Sequence, residues 1–96
     1  MSRFLPENFD ASKPLALIAG QGQYPILLAQ RARAAGIDLR LIELGGETPT
    51  ELVNDFKPEQ RATVKVGQVG KLLKELKNLD AGYAVMVGQV TPGKLF

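Results

Sequence analysis

The pattern of hydrophobic and polar residues along the chain predicts four strands. Residues 15–20, LALIAG, and residues 83–88, YAVMVG, are apolar almost throughout, which is typical of strands covered on both faces. Residues 38–44, DLRLIEL, and residues 62–66, ATVKV, alternate polar with aliphatic side chains and predict less buried strands. Lys65 favours a position for the third strand near a sheet edge, because lysine discourages stray pairing there.

Helical patterns fill the intervals between these strands. Proline suits the first position of a helix over residues 25–35, and Leu28, Ala32 and Ala35 would share its buried face before Gly36 ends it. Thr48-Pro49-Thr50-Glu51 has the form of a capping box, which predicts a short helix through Phe56.

The third helical pattern, in residues 69–80, is the clearest. One apolar stripe would face the sheet, formed by Val69, Leu72, Leu73, Leu76 and Leu79. Three lysines fall elsewhere on this helix.

Strands that alternate with helices predict an α/β fold, a Rossmann-like half of a doubly wound parallel sheet with four strands and helices on both faces. If the strand order is 3-2-1-4, the apolar fourth strand becomes an exposed edge that needs a neighbour. The chain ends at Phe96 without a helix after that strand. We therefore expect a flexible lead-in over residues 1–14 and a domain over residues 15–96. This domain would be a fragment of a longer two-domain protein, or a protomer in a homo-oligomer joined through the fourth strand.

The amino-acid composition excludes several kinds of catalytic and binding site. The chain has 96 residues, 45% of them hydrophobic, and a net charge of +2, which is typical of one soluble globular domain and gives little support for a nucleic-acid partner. It contains no Cys and no His, so thiolate nucleophiles, disulfides and histidine bases are excluded. No apolar stretch approaches the ~20 residues of a membrane span, and the start lacks a signal peptide, so we expect a cytoplasmic protein.

Three glycine-rich and glutamine-rich loops follow predicted strands, at residues 20–24, 67–70 and 88–91. Ligands of doubly wound sheets gather at the carboxyl ends of strands, and glycine lets backbone amides approach a ligand. Lys71 lies in a first helical turn, where the helix dipole disfavours a cation by a few tenths of a kcal/mol. A bound anion would remove that penalty, so a phosphate site and a solvated side chain both stay open.

The first loop also invites comparison with a dinucleotide fingerprint. Gly20 and Gly22 fit that pattern, and Glu43 lies where a ribose-binding acid is expected, but Pro25 replaces the third glycine and removes an amide. A turn that needs glycine only for its backbone angles explains these residues better than a dinucleotide site does. No acidic pair is placed for Mg²⁺, so we expect no catalytic and no metal-binding residue on this chain.

Taken in order, three motifs resemble the amino-terminal domain of the UDP-2,3-diacylglucosamine pyrophosphatase (LpxI-type) family of lipid A biosynthesis. The resemblance covers residues 15–96. The residues that match the family's motifs are Gly20, Gly22 and Pro25 in the first, Gly67, Gly70 and Lys71 in the second, and Gly88 and Val90 in the third.

This resemblance implies a hydrolase that releases UMP and 2,3-diacylglucosamine 1-phosphate from a lipid-linked UDP-sugar, assisted by Mg²⁺. Catalytic acids would lie in a carboxy-terminal domain absent from this chain, which would then be inactive alone and cofactor-free. The intact protein would be cytoplasmic, peripheral at the inner membrane. The substrate would contact Gly20, Gln21, Gly22, Gln23, Tyr24, Gly67, Gln68, Gly70, Lys71, Gly88 and Gln89.

Two alternatives from other classes stay open. A nucleotide-binding module of an oxidoreductase would bind NAD and need Glu43. An interaction domain without a small ligand would recruit its partner through the apolar fourth strand.

Overall fold

Four strands form one parallel sheet in the computed structural model, which describes residues 12–90. The strands are β1 (Leu15–Ala19), β2 (Leu39–Leu44), β3 (Arg61–Val64) and β4 (Tyr83–Val87). Their order in the sheet is β3-β2-β1-β4, and all neighbouring pairs are parallel. The predicted α/β class and strand order are therefore confirmed.

Helices cover both faces of this sheet. They are α1 (Tyr24–Ala34), α2 (Thr50–Asn54) and α3 (Val69–Asn78), and a 3₁₀ turn, Pro58–Gln60, precedes β3. One buried cluster places α1 and α2 against the first face, and a second cluster places α3 against the other face. None of the helices within residues 12–90 has the length and apolar character that crossing a membrane requires.

β1 is the centre of the core, since all five of its residues are buried. Its side chains alternate between the two faces, so Leu17 belongs to the α1 side and Ile18 to the α3 side. This double burial explains why the first strand is apolar at every position.

β4 has the predicted apolar residues but not the predicted burial. Tyr83, Val85 and Val87 are half-buried against the core on the α1 side, whereas Ala84 and Met86 are exposed. No other described strand lies beyond β4. The prediction of a fully buried strand is wrong, and the prediction of an exposed edge is confirmed.

The face of α1 differs in detail from its prediction. Pro25, Ala29 and Ala32 are the buried residues, while Leu28 is half-buried and Ala35 is exposed just beyond the helix. Small side chains on this face let α1 lie close to the sheet.

The predicted capping box before α2 is absent. The Thr48 hydroxyl accepts a hydrogen bond from the Leu44 N–H (2.8 Å) and donates to the Ala19 carbonyl, so it joins the ends of β1 and β2. No side chain caps α2, which ends at Asn54 instead of Phe56. The Thr48 hydroxyl thus forms hydrogen bonds with backbone groups of the sheet and does not cap the helix.

Only part of the predicted α3 stripe is buried. Leu72, Leu76 and Leu79 are half-buried against the second core cluster, but Val69 and Leu73 are exposed at 64% and 62%. Of the predicted flexible lead-in, residues 1–11 lie outside the described part of the chain, as does Thr91 of the third loop.

Candidate functional site

Four loops follow the carboxyl ends of the strands and form one edge of the sheet. We call them the β1 loop (residues 20–23), the β2 loop (45–49), the β3 loop (65–68) and the β4 loop (88–90). All the residues predicted to bind substrate lie in three of these loops or in the first turns of α1 and α3. Contact of these residues with substrate stays a prediction.

Backbone hydrogen bonds join the β1 loop to the β4 loop. The Gln21 N–H donates to the Gln89 carbonyl at 2.7 Å, and the Gln89 N–H donates to the Gln21 carbonyl at 3.2 Å. The Gly20 N–H donates to the Val87 carbonyl at 2.8 Å. The amides of Gly20 and Gln21 are thus already used, and a phosphate group would have to displace these bonds to reach them.

Two glycines allow this close approach. A Cβ added to Gly20 would lie 2.5 Å from the Gln89 carbonyl oxygen, and one added to Gly88 would lie 2.8 Å from the Gln21 carbonyl oxygen. Gly88 also has a φ of +105°. Both glycines are required by the packing of backbone on backbone, before any ligand is considered.

The accessible amides of the β1 loop lie further along, where α1 begins. Among residues 12–90 no group accepts a hydrogen bond from the backbone N–H of Gly22, Gln23 or Tyr24. Gly22 has a φ of +100° and open space around it, and Tyr24 is 76% exposed. Pro25 follows as a buried residue of the first turn and contributes no amide.

Glu47 in the β2 loop is a buried carboxylate that sequence reasoning missed. It is 5% exposed, and its Oε1 accepts a hydrogen bond from Nε2 of Gln21 at 3.1 Å. The sequence does offer a signal, since the acid follows Gly45-Gly46 directly after a buried strand. Glu43, the acid singled out instead, lies on β2 and accepts a hydrogen bond from the Thr63 hydroxyl at 3.0 Å.

The β3 loop leads into α3. The N–H of Lys65 donates to Oε1 of Gln68 at 2.9 Å, so this glutamine side chain closes the turn. Gly67 adopts a φ of +94° there. Gly70 and Lys71 follow as exposed residues of the first turn of α3.

An open apolar pocket of about 200 Å³ lies between the β3 loop, the β4 loop and α3. Its lining contains no acidic residue, and Lys65 is the charged residue on its wall. Apolar side chains make up most of the wall: Ile18, Leu44, Val64, Val66, Val69, Leu72, Met86 and Val90. Gly67 and Gln68 also line the pocket. The pocket therefore borders two of the loops predicted to contact substrate.

Acidic groups at this edge do not form a metal centre. Within residues 12–90 there is no group of three or more His, Cys, Asp or Glu side chains that could hold a metal ion. Glu43 and Glu47 each accept a hydrogen bond from a different partner. The described residues thus do not fit the Mg²⁺ expected for the intact enzyme.

Comparison with known proteins identifies a family for the chain. A family model described as LpxI N-terminal domain matches residues 14–96, which include the sheet, the three helices and all predicted site residues. No curated protein matches the chain.

Proposed function

We propose that this chain, which belongs to the LpxI N-terminal domain family, is the substrate-contacting domain of a UDP-2,3-diacylglucosamine hydrolase. Membership of that family makes it a domain of a lipid A pathway enzyme. In the proposed reaction water attacks the α-phosphorus of the lipid-linked UDP-sugar, and UMP and 2,3-diacylglucosamine 1-phosphate are released.

The observation that supports this proposal most is the amphipathic character of one edge of the sheet. An apolar pocket of about 200 Å³ lies beside glycine-rich and glutamine-rich loops. Its volume is below the ~300–1,000 Å³ of a site that encloses a whole small molecule. An acyl chain of the substrate would enter such a pocket, while the sugar and phosphate would meet the polar loops.

Polar recognition would fall to two sets of groups. The N–H groups of Gly22, Gln23 and Tyr24 lack acceptors among residues 12–90 and have the positive end of α1 behind them. The exposed Lys71 ammonium lies in the first turn of α3, so an anion there would be favoured by both the lysine and the helix dipole.

The chemical step is assigned to the carboxy-terminal domain. Residues 12–90 provide neither a metal-binding acidic cluster nor histidine. We therefore derive no step through Mg²⁺ from this chain. Its proposed role is to bind and orient the acylated sugar, in a cytoplasmic protein held at the inner-membrane surface by its lipid substrate.

The NAD-binding alternative is less compatible with the β1 loop. A dinucleotide site uses the first amides of the glycine-rich turn for the pyrophosphate. Here the amides of Gly20 and Gln21 are hydrogen bonded to the β4 strand and loop, and Pro25 has none to offer.

An amide chemical-shift titration of the 96-residue chain tests the proposal. We expect 2,3-diacylglucosamine 1-phosphate to shift residues 22–24, residues 67–71 and the pocket residues Val69 and Met86. Glucosamine 1-phosphate without acyl chains is the matched ligand control and should shift the pocket residues far less. UMP and NAD serve as further ligands.

Two results would contradict the proposal. The first is a response of the β1 loop to NAD with none to the acylated sugar. The second is identical shifts with the acylated and the unacylated sugar phosphate, because the apolar pocket would then contribute nothing.

A further inference from the structure

Glu47 is a buried charged residue at the edge of the sheet where the ligand is proposed to lie. Within residues 12–90 it is the one polar or charged residue that is buried. Its Oε1 accepts the hydrogen bond from Nε2 of Gln21 at 3.1 Å. Hydrogen bonds that a carboxylate accepts are stronger than those between neutral groups, so Glu47 restrains the Gln21 side chain.

The β2 loop holds Glu47 in a defined turn. The Leu44 carbonyl accepts hydrogen bonds from the N–H groups of Glu47 (2.8 Å) and Thr48 (3.2 Å). Gly46 adopts a φ of +81° within this turn. The Thr48 hydroxyl donates to the Ala19 carbonyl at the end of β1. The Glu47 side chain therefore starts from a backbone that is fixed to its own strand and to the neighbouring one.

Gln21 is held from two sides. Its backbone exchanges hydrogen bonds with Gln89 of the β4 loop at 2.7 and 3.2 Å, and its side chain is bonded to Glu47 of the β2 loop. Gly22 follows directly, with a φ of +100° and open space around it. The N–H groups of residues 22–24 have no acceptor among residues 12–90. The direction of these amides thus depends on Gln21 on one side and on the start of α1 on the other.

We propose that Glu47 is a positioning residue for ligand binding. Through its hydrogen bond with Gln21 it holds the N–H groups of residues 22–24 in the orientation that a ligand meets. A loop that is ordered before binding loses less conformational entropy when the ligand arrives, so affinity rises without any contact between Glu47 and the ligand. The identity of the ligand rests on the proposed function, but the order of these amides can be measured without one.

Backbone amide relaxation of the ligand-free chain tests the positioning role. We expect the heteronuclear NOE of residues 22–24 in the native chain to equal that of β1 and to fall in Glu47→Ala. Glu47→Gln keeps an oxygen that accepts the same hydrogen bond and should restore most of the NOE. Ile42→Val is the matched control, because it removes a methyl group from a fully buried residue of β2 and should leave residues 22–24 ordered.

A double-mutant cycle tests whether Glu47 acts through Gln21. Gln21→Ala removes the donor and should lower the NOE of residues 22–24 as Glu47→Ala does. Adding Glu47→Ala to Gln21→Ala should then produce no further loss. A native chain in which residues 22–24 are already mobile overturns the proposal. Equal losses in Glu47→Ala and Ile42→Val, or additive losses in the double variant, do the same.

Titration with 2,3-diacylglucosamine 1-phosphate connects the order of the loop to binding. Glu47→Ala should raise the Kd by about 2- to 12-fold, the cost of ordering one mobile group on binding, whereas Ile42→Val should leave the Kd unchanged. A native Kd that Glu47→Ala does not alter overturns the positioning role and leaves the proposed function standing. A native chain that does not bind this ligand contradicts the proposed function instead, and the relaxation data still decide whether Glu47 orders the loop.

Discussion

Replacing Gly20 with alanine should destabilise the fold through one contact. The added Cβ would lie 2.5 Å from the Gln89 carbonyl oxygen and 3.0 Å from both the carbonyl carbon and the amide nitrogen of Gln89. All three atoms belong to backbone, so no side chain can rotate away. The β4 loop would have to move, and its hydrogen bonds with the β1 loop would lengthen or break.

The expected loss follows from these contacts. Overpacking of a close-packed site costs about 1–3 kcal/mol, and each backbone hydrogen bond lost adds about 0.5–1.5 kcal/mol. For a domain of this length, 1 kcal/mol lowers Tm by about 4–8 °C. We therefore expect the Gly20→Ala variant to melt at least about 4 °C below the native chain in a thermal scan followed by circular dichroism.

Gly70→Ala is the matched control. It makes the same chemical change in the first turn of α3, where a Cβ would meet nothing within 4 Å. Alanine is favoured over glycine in a helix by about 0.5–1 kcal/mol, so this variant should melt at or above the native Tm. Equal Tm values for Gly20→Ala and the native chain would refute the claim that the β1 and β4 loops are held together by backbone packing.

Three further changes test other parts of the site and the core. Glu47→Ala should lower the free energy of unfolding by about 1–3 kcal/mol in urea, since the half-buried Gln21 side-chain amide loses the hydrogen bond to the buried carboxylate, whereas Glu47→Gln keeps an acceptor oxygen and should lose less. Equal losses in the two variants would contradict this. Lys71→Glu should weaken binding of 2,3-diacylglucosamine 1-phosphate in the shift titration by about 1.4- to 5-fold, because it removes ~0.2–1 kcal/mol of attraction between an exposed ammonium and the phosphate. Lys77→Glu, in the last turn, is its control, and equal effects would remove Lys71 from the site. Phe56→Ala should cost about 3–5 kcal/mol in urea denaturation, as the ring is 3% exposed, and a loss below 1 kcal/mol would contradict its place in the core.

The order of the strands could be derived from the sequence because it depends on local patterns. A strand buried on both faces must be apolar throughout, and β1 is. An edge strand keeps polar residues on one face, as β3 does with Arg61 and Thr63. Right-handed crossovers then leave few arrangements of four parallel strands.

The burial of β4 could not be derived in the same way. An apolar run shows that a strand is suited to burial, but the neighbour that buries it need not belong to the described residues. Met86 is exposed although its sequence context equals that of a buried strand. The residue pattern therefore predicts that a segment is suited to burial, but it does not identify the neighbour that buries it.

Long-range partners also limited the prediction of the site. Thr48 has the spacing of a capping box, yet its hydroxyl bonds to the carbonyl of Ala19, 29 residues away. Glu47 is held by Gln21, 26 residues away, and its position after Gly45-Gly46 does not reveal that partner. Both contacts exist only once β1 and β2 lie side by side, so they follow from the tertiary structure.

The glycines of the first and third motifs have different structural roles, which the motifs alone do not distinguish. Gly20 and Gly88 let two loops touch through their backbones, which uses the amides that a pyrophosphate would need. Gly22 has open space around it, and the amides that follow lack acceptors among residues 12–90. The same glycine-rich turn thus divides into a part that closes the sheet edge and a part whose amides lack acceptors among residues 12–90. A ligand at this edge would therefore lie toward the starts of α1 and α3, beside the apolar pocket, and an acylated sugar phosphate suits that position better than a dinucleotide between β1 and β4.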